Sequence, residues 1–129
     1  MKPHDERGEV SAQIAVLAPV LFLLAFLAVQ ASSLWMAAQT ASIAARRGAR
    51  AASMAIDRGN LFLVAAESAE TTASELGSRL AAPPRVTVGV SAVAVSVTVR
   101  VGSSGPLVPD HVTRSVTLPL EQFVGEDGR

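Results

Sequence analysis

Glu67, Glu70 and Glu75 fall close together and are followed by Arg79. Paired carboxylates invite a general acid–base reading, but no histidine, serine or metal-ligand partner accompanies them. His4 and His111 lie far apart, and no Asp/Glu/His spacing suggests a metal. Cysteine is absent, which removes thiolate nucleophiles, thiolate metal sites and disulfides together. Gly8, Gly48 and Gly59 form no phosphate loop, and Ser103-Ser104 reads as a turn, not a nucleophile elbow. Arg46, Arg47 and Arg50 make a small basic patch. Formal net charge is nevertheless zero, with one Trp, four Phe and no Tyr to stack on bases. These residues point away from an enzyme, a cofactor, a metal site, a small-molecule substrate and nucleic acid. The glutamates are expected on a solvated face, and the arginines where a helix leaves a membrane.

The elements that carry those side chains explain the lack of chemistry. The 129 residues allow one domain at most. Half are hydrophobic and the mean hydropathy is +0.39, with the excess near the N-terminus. No charge occurs from Val10 to Ala45, and Ile14 to Val29 is apolar throughout. A bilayer-spanning helix needs about 20 mostly apolar residues. Taking Ile14–Met36 as the span, its twelve Leu, Ile, Val and Phe residues favour insertion by about 4–7 kcal/mol before polar costs. Pro19 is tolerable in lipid where neighbouring groups satisfy the freed carbonyl, and Trp35 stands where an interfacial anchor would. A secretory signal cut after Val29-Gln30-Ala31 is the competing reading. Asp5, Glu6 and Glu9, beside Lys2 and Arg7, deny it the usual positive bias. Counting basic residues on either side of the span leans toward a cytoplasmic C-terminus, without a firm answer.

Immediately before the apolar run stands Arg7-Gly8-Glu9-Val10-Ser11-Ala12-Gln13. Together with Pro19 and Ala45-Arg46-Arg47-Gly48-Ala49-Arg50-Ala51-Ala52, it resembles the N-terminal region of TadE-like minor pilins and pseudopilins of the Tad/Flp type IV pilus system. The resemblance covers about residues 7–55. It implies a leader, residues 1–8, cut by prepilin peptidase between Gly8 and Glu9 on the cytoplasmic side. Gln13 then becomes the fifth mature residue and Pro19 the eleventh. In that family the fifth residue is a glutamate that pairs with the N-terminal amine of a neighbouring subunit. A neutral Gln13 offers a hydrogen bond without Coulomb attraction, which favours a minor or priming role over a major subunit; Glu9 is a substitute source of charge. The resemblance also overrides the charge count. It implies a single-pass protein of the bacterial cytoplasmic membrane or pilus, N-terminus in the cytoplasm and head outside. Its partners would be prepilin peptidase, the lipid bilayer, other pilin-like subunits and pilus assembly proteins. Gln13, Pro19, Ala45, Gly48, Ala49, Arg50 and Ala52 fall within this resemblance; with Ala41, added by the spacing described next, they are the candidate assembly and helix-packing residues.

Beyond the membrane, Ala37, Ala41, Ala45 and Ala49 share one helical spacing, and Ala44, Gly48 and Ala52 another. Small residues so placed let another backbone approach closely; equally, alanine is the best helix former, and the pattern does not choose between the two. Asp57-Arg58-Gly59-Asn60 reads as a stop or hinge. Leu61–Leu80 then reads as a second helix, closed by Ala81-Ala82-Pro83-Pro84. Val93, Val95, Val97, Val99 and Val101 alternate with smaller or polar residues as one strand. Val86–Val90 makes a shorter strand of opposite parity with a turn near Ser91-Ala92, and Val112–Leu118 a third. The expected fold is α+β: a transmembrane helix and stalk (9–58), and a small three-stranded antiparallel head (59–124) covered by the second helix. A loose tail (125–129) follows. The alternatives are an unrelated single-pass envelope protein whose β head binds a partner, and a soluble domain released after Ala31.

Overall fold

The computed structural model describes residues 6–55, 57, 59–102 and 105–120. Its elements are α1 (Glu6–Ser53), α2 (Leu61–Glu75), β1 (Leu80–Val88), β2 (Ala92–Arg100) and β3 (His111–Pro119). The three strands form one antiparallel sheet in the order β1-β2-β3, giving the expected α+β architecture. The leader positions 1–5 and the tail 125–129 lie outside the described residues.

α1 runs unbroken for 48 residues, with Pro19 inside it, about 72 Å at 1.5 Å per residue. Its two halves have different surroundings. Up to Val29 nearly every side chain is exposed; from Ala37 onward one face is buried. That face comprises Ala37, Thr40, Ala41, Ala44, Ala45, Gly48, Ala49 and Ala52. Side chains this small leave little bulk to fill a core, so the neighbouring backbones come close instead. A Cβ added at Gly48 would lie 2.9 Å from the Ala65 carbonyl oxygen and 3.1 Å from Ala69 Cβ, which marks the crossing of α1 over α2. The α2 side of that contact is Leu61, Ala65, Ala69, Thr72 and Ala73.

α2 begins after a local turn in which the Gly59 N–H donates to Asp57 Oδ1 at 2.9 Å. It ends earlier than the sequence pattern predicts. Gly77 adopts φ +71°, the Gly77 N–H donates to the Ser74 carbonyl and the Ser78 N–H to the Ala73 carbonyl. That is the paired closure a left-handed glycine permits. Leu76 is therefore exposed past the helix, and Leu80 opens a strand. The segment Ala81-Ala82-Pro83-Pro84, expected as a helix terminator, instead lies within β1. Two register irregularities, between Leu80 and Ala82 and between Ala82 and Arg85, accommodate the prolines. Prolines lack a donor for the ladder but fit an edge strand at bulges. At its other end β1 stops at Val88, leaving Val90 on the tip of the hairpin turn at 89% exposure; the Gly89 N–H donates across that turn to Ala92 O.

β2 is the central strand and the centre of the core. Val93, Val95, Val97 and Val99 are fully buried. Val88 and Leu118 flank Val93, Val86 and Val116 flank Val95, and Leu80 and Val112 flank Val99. On the outer face Ser96 Oγ donates to Ser115 Oγ at 3.0 Å, and the Thr98 and Thr113 hydroxyls lie 2.8 Å apart, so the polar positions are also paired across strands. The sheet is not covered by α2 alone. α1 lies over β2 and β3, while α2 lies mainly over β1. Val95→Ala, which opens a void beneath both helices, is expected to lower the stability of the head by about 2 kcal/mol, measured by thermal unfolding of the detergent-solubilised protein.

Candidate membrane and assembly surface

From Val10 to Val29 the helix carries Val, Leu, Ile and Phe on every side, and none of these side chains is buried. Phe22 is 77% exposed, and Val16, Leu17, Leu21, Leu23 and Leu24 are all more than half exposed. A continuous apolar sleeve of this kind has no stable place in water. Its 20 residues give about 30 Å of helix, the thickness of a bilayer's hydrocarbon core. α1 is long and apolar enough to cross a membrane, and the apolar window lies outside the folded head. All-round exposure ends at Val29, within the expected span to Met36, although Trp35 and Met36 stay exposed. Gln30 is buried at 3% exposure, Leu34 packs on the core, and Ala37 belongs to it.

The polar groups along this stretch are arranged to limit their cost. The Ser32 and Ser33 hydroxyls donate to the Ala28 and Val29 carbonyls at 2.8 and 3.0 Å, so each satisfies its donor within the helix. Gly8 and Glu9 are exposed and helical, with nothing within 4 Å of a Cβ placed at Gly8. Gln13 is exposed four residues after Glu9 and therefore on the same helix face. Pro19 is exposed further up the helix; proline supplies no N–H for the Ala15 carbonyl one turn below.

The remaining residues singled out in the sequence divide sharply. Ala41, Ala45, Gly48, Ala49 and Ala52 lie inside the subunit, pressed on α2 and the sheet. They lie together, against this chain's own elements. Arg46, Arg47 and Arg50 are exposed on the opposite face. Arg47 Nη1 is 3.5 Å from Glu75 Oε2 with both side chains more than half exposed, a geometry worth little in stability. Glu67 and Glu70 are exposed on α2. Among the described residues, no group of three or more His, Asp or Glu side chains is placed to hold a metal ion.

Two features of the surface have only faint sequence signals. Gln30 is the lone amide inside the stretch Ile14–Ser32, and it packs against Gly105 in the connection between β2 and β3. A Cβ at Gly105 would overlap Gln30 Nε2 and stand 2.8 Å from Oε1. Gln30 Oε1 is buried and accepts no hydrogen bond among the described residues. The other feature is the rim where α1 enters the head. Arg79 and Arg100 line a groove there with Ser33, Met36 and Gly77, and the Arg100 N–H donates to the Arg79 carbonyl. Beside it His111 Nδ1 lies 2.6 Å from Asp110 Oδ1. That hydrogen bond, then the His111 and Arg100 charges, hold the exposed Asp110 carboxyl below its ordinary range.

Residues 8–50 match the TadE family, described as TadE-like protein. The match covers the apolar half of α1 and most of the small-residue face. No curated protein and no solved structure matches the chain.

Proposed function

Taking the chain as TadE-like over residues 8–50, we propose that it is a minor pilin or pseudopilin of a Tad-type pilus or secretion system. In this reading it is a structural subunit that turns over no substrate. The N-terminus lies in the cytoplasm, Val10–Val29 crosses the cytoplasmic membrane, and the head lies outside. Prepilin peptidase cuts between Gly8 and Glu9, and other pilin-like subunits and assembly proteins are the partners. The observation that carries the reading is the exposed apolar sleeve of α1, which coincides with the TadE-like segment and emerges from a head that closes its own core.

The same observation supports a particular mode of assembly. Because the small residues from Ala37 to Ala52 are occupied within the subunit, contacts with neighbouring subunits fall to the membrane half of α1 and the outer surface of the head. Gln13 and Glu9, exposed on one face, are the polar groups available to a neighbour's N-terminal amine. A neutral Gln13 makes that contact weaker than a carboxylate would, since a hydrogen bond between a charged and a neutral group lacks the Coulomb term of an ion pair in lipid. Entry as an occasional or priming subunit follows.

The deciding experiment is mass spectrometry of the mature N-terminus from membranes of cells with and without prepilin peptidase. The expected result is a peptidase-dependent start at Glu9. A start at Ser32 identifies a secreted domain, and an intact Met1 a plain membrane anchor; either result ends the pilin reading. A cut before Ser32 would also remove Gln30 from its contact with Gly105 and sever α1 below the head, so the continuity of that helix favours retention of the span.

A further inference from the structure

The connection between β2 and β3 sits low on the molecule, at the level where α1 leaves its apolar sleeve. Gly105 touches Gln30, the first residue after Val29. The Val108 N–H donates to the Gly105 carbonyl, closing a tight turn whose tip is Pro106-Leu107. Val108 packs back onto the core, whereas Leu107 is 74% exposed. The sequence of the turn, Gly105-Pro106-Leu107-Val108-Pro109, carries no charge. A single exposed leucine is ordinary on a protein surface, but an uncharged, apolar turn tip is also what a contact with lipid requires.

Distances along α1 fix the levels. With Val10–Val29 filling about 30 Å of hydrocarbon, Gln30 lies at its edge. The interfacial layer beyond the hydrocarbon is about 5–8 Å deep on each side. Ser33 to Met36 lie about 4–9 Å above Gln30 at 1.5 Å per residue, which is headgroup level. Trp35 and Met36 are exposed there, and the groove that Ser33 and Met36 line also holds Arg79 and Arg100. Apolar residues thus lie at the hydrocarbon edge, with an indole and two guanidinium groups one layer above them. This is the vertical order of a bilayer surface.

We propose that the β2–β3 turn is a second membrane contact: Pro106 and Leu107 insert at the hydrocarbon boundary of the leaflet on the head's side, and Arg79 and Arg100 bind its anionic headgroups. This rests on the span at Val10–Val29, and it adds that the head lies down on the bilayer with a fixed orientation. The contact with Gln30 has a role in this arrangement. It fastens the turn to the helix at the boundary, and it shields an amide that would otherwise face lipid.

The chain contains no cysteine, so single probes can be placed without background. The full-length protein carrying Leu107→Cys, labelled with an environment-sensitive fluorophore, is reconstituted in vesicles of phosphatidylethanolamine and phosphatidylglycerol. Leu24→Cys in the span and Leu63→Cys on the far side of the head are labelled in parallel. The expected result is blue-shifted emission at 107 that a shallow lipid-borne nitroxide quenches strongly, with little quenching at 63. Adding Arg79→Gln and Arg100→Gln is expected to weaken the quenching at 107. An aqueous spectrum at 107 with a lipid spectrum at 24 overturns the second contact and leaves the span intact. An aqueous spectrum at both positions overturns the span, and the second contact with it.

Discussion

Replacing Leu21 and Leu24 together by arginine is expected to release the protein from the membrane. The twelve Val, Leu, Ile and Phe side chains between Val10 and Val29 favour insertion by about 4–7 kcal/mol. Both leucines lie near the middle of that stretch, and each change removes an apolar residue and adds a charge, for about 3–4 kcal/mol apiece. The sum of about 6–8 kcal/mol matches or exceeds the whole driving force. The head buries none of the sleeve and so does not shelter the new charges. The measurement is carbonate extraction of the membrane fraction: the variant is expected in the supernatant and the unaltered chain in the pellet. A variant that stays in the pellet would show that the head, not this helix, holds the protein to the membrane.

The second large effect is expected at Gly48. Gly48→Leu drives a side chain into a space where even a Cβ stands 2.9 Å from the Ala65 carbonyl, 3.1 Å from Ala69 Cβ and 3.2 Å from Val95 Cγ1. The first of these neighbours is backbone, so relief requires α1 and α2 to separate. Overpacking of this kind costs typically about 1–3 kcal/mol, and a leucine at a backbone crossing belongs at the upper end. Leucine's better helix propensity returns only about 0.8 kcal/mol, so the loss dominates. Gly102→Ala, with nothing within 4 Å of its Cβ, serves as the control. The expected outcome is a thermal midpoint lowered markedly for Gly48→Leu and nearly unchanged for Gly102→Ala. Equal midpoints would mean that the two helices do not cross at this point.

Much of this arrangement is legible in the residues themselves. The alternation from Val93 to Val101 marks β2 because a half-buried strand has period two, and no helix fits that pattern. The apolar sleeve is equally plain. The end of α2 is not legible in the spacing, because Leu76 and Leu80 continue it, whereas Gly77 overrides it through a backbone angle that periodicity does not register. The path of β1 is hidden for a related reason. Two adjacent prolines read as a stop after a helix, and only their place on an edge strand makes them acceptable within a sheet. The alanine face of α1 shows that some other backbone comes close, but composition is silent on which one. Here α2 and the sheet fill that role within the chain. Gln30 gave a signal, a lone amide in an apolar run, but its partner Gly105 is 75 positions away in the chain and no local pattern links them.

α1 belongs at once to the membrane and to the head, with no joint between. Helical phase is therefore preserved from Glu9 to Ala52, and the azimuth of the sheet is locked to the azimuth of the sleeve. Where neighbouring sleeves choose which side of α1 to pack against, they also choose the compass direction in which the sheet and the α2 glutamates point. One residue gained or lost between Val29 and Ala37 would swing that direction by about 100°, leaving both ends of the molecule chemically unchanged but facing different neighbours.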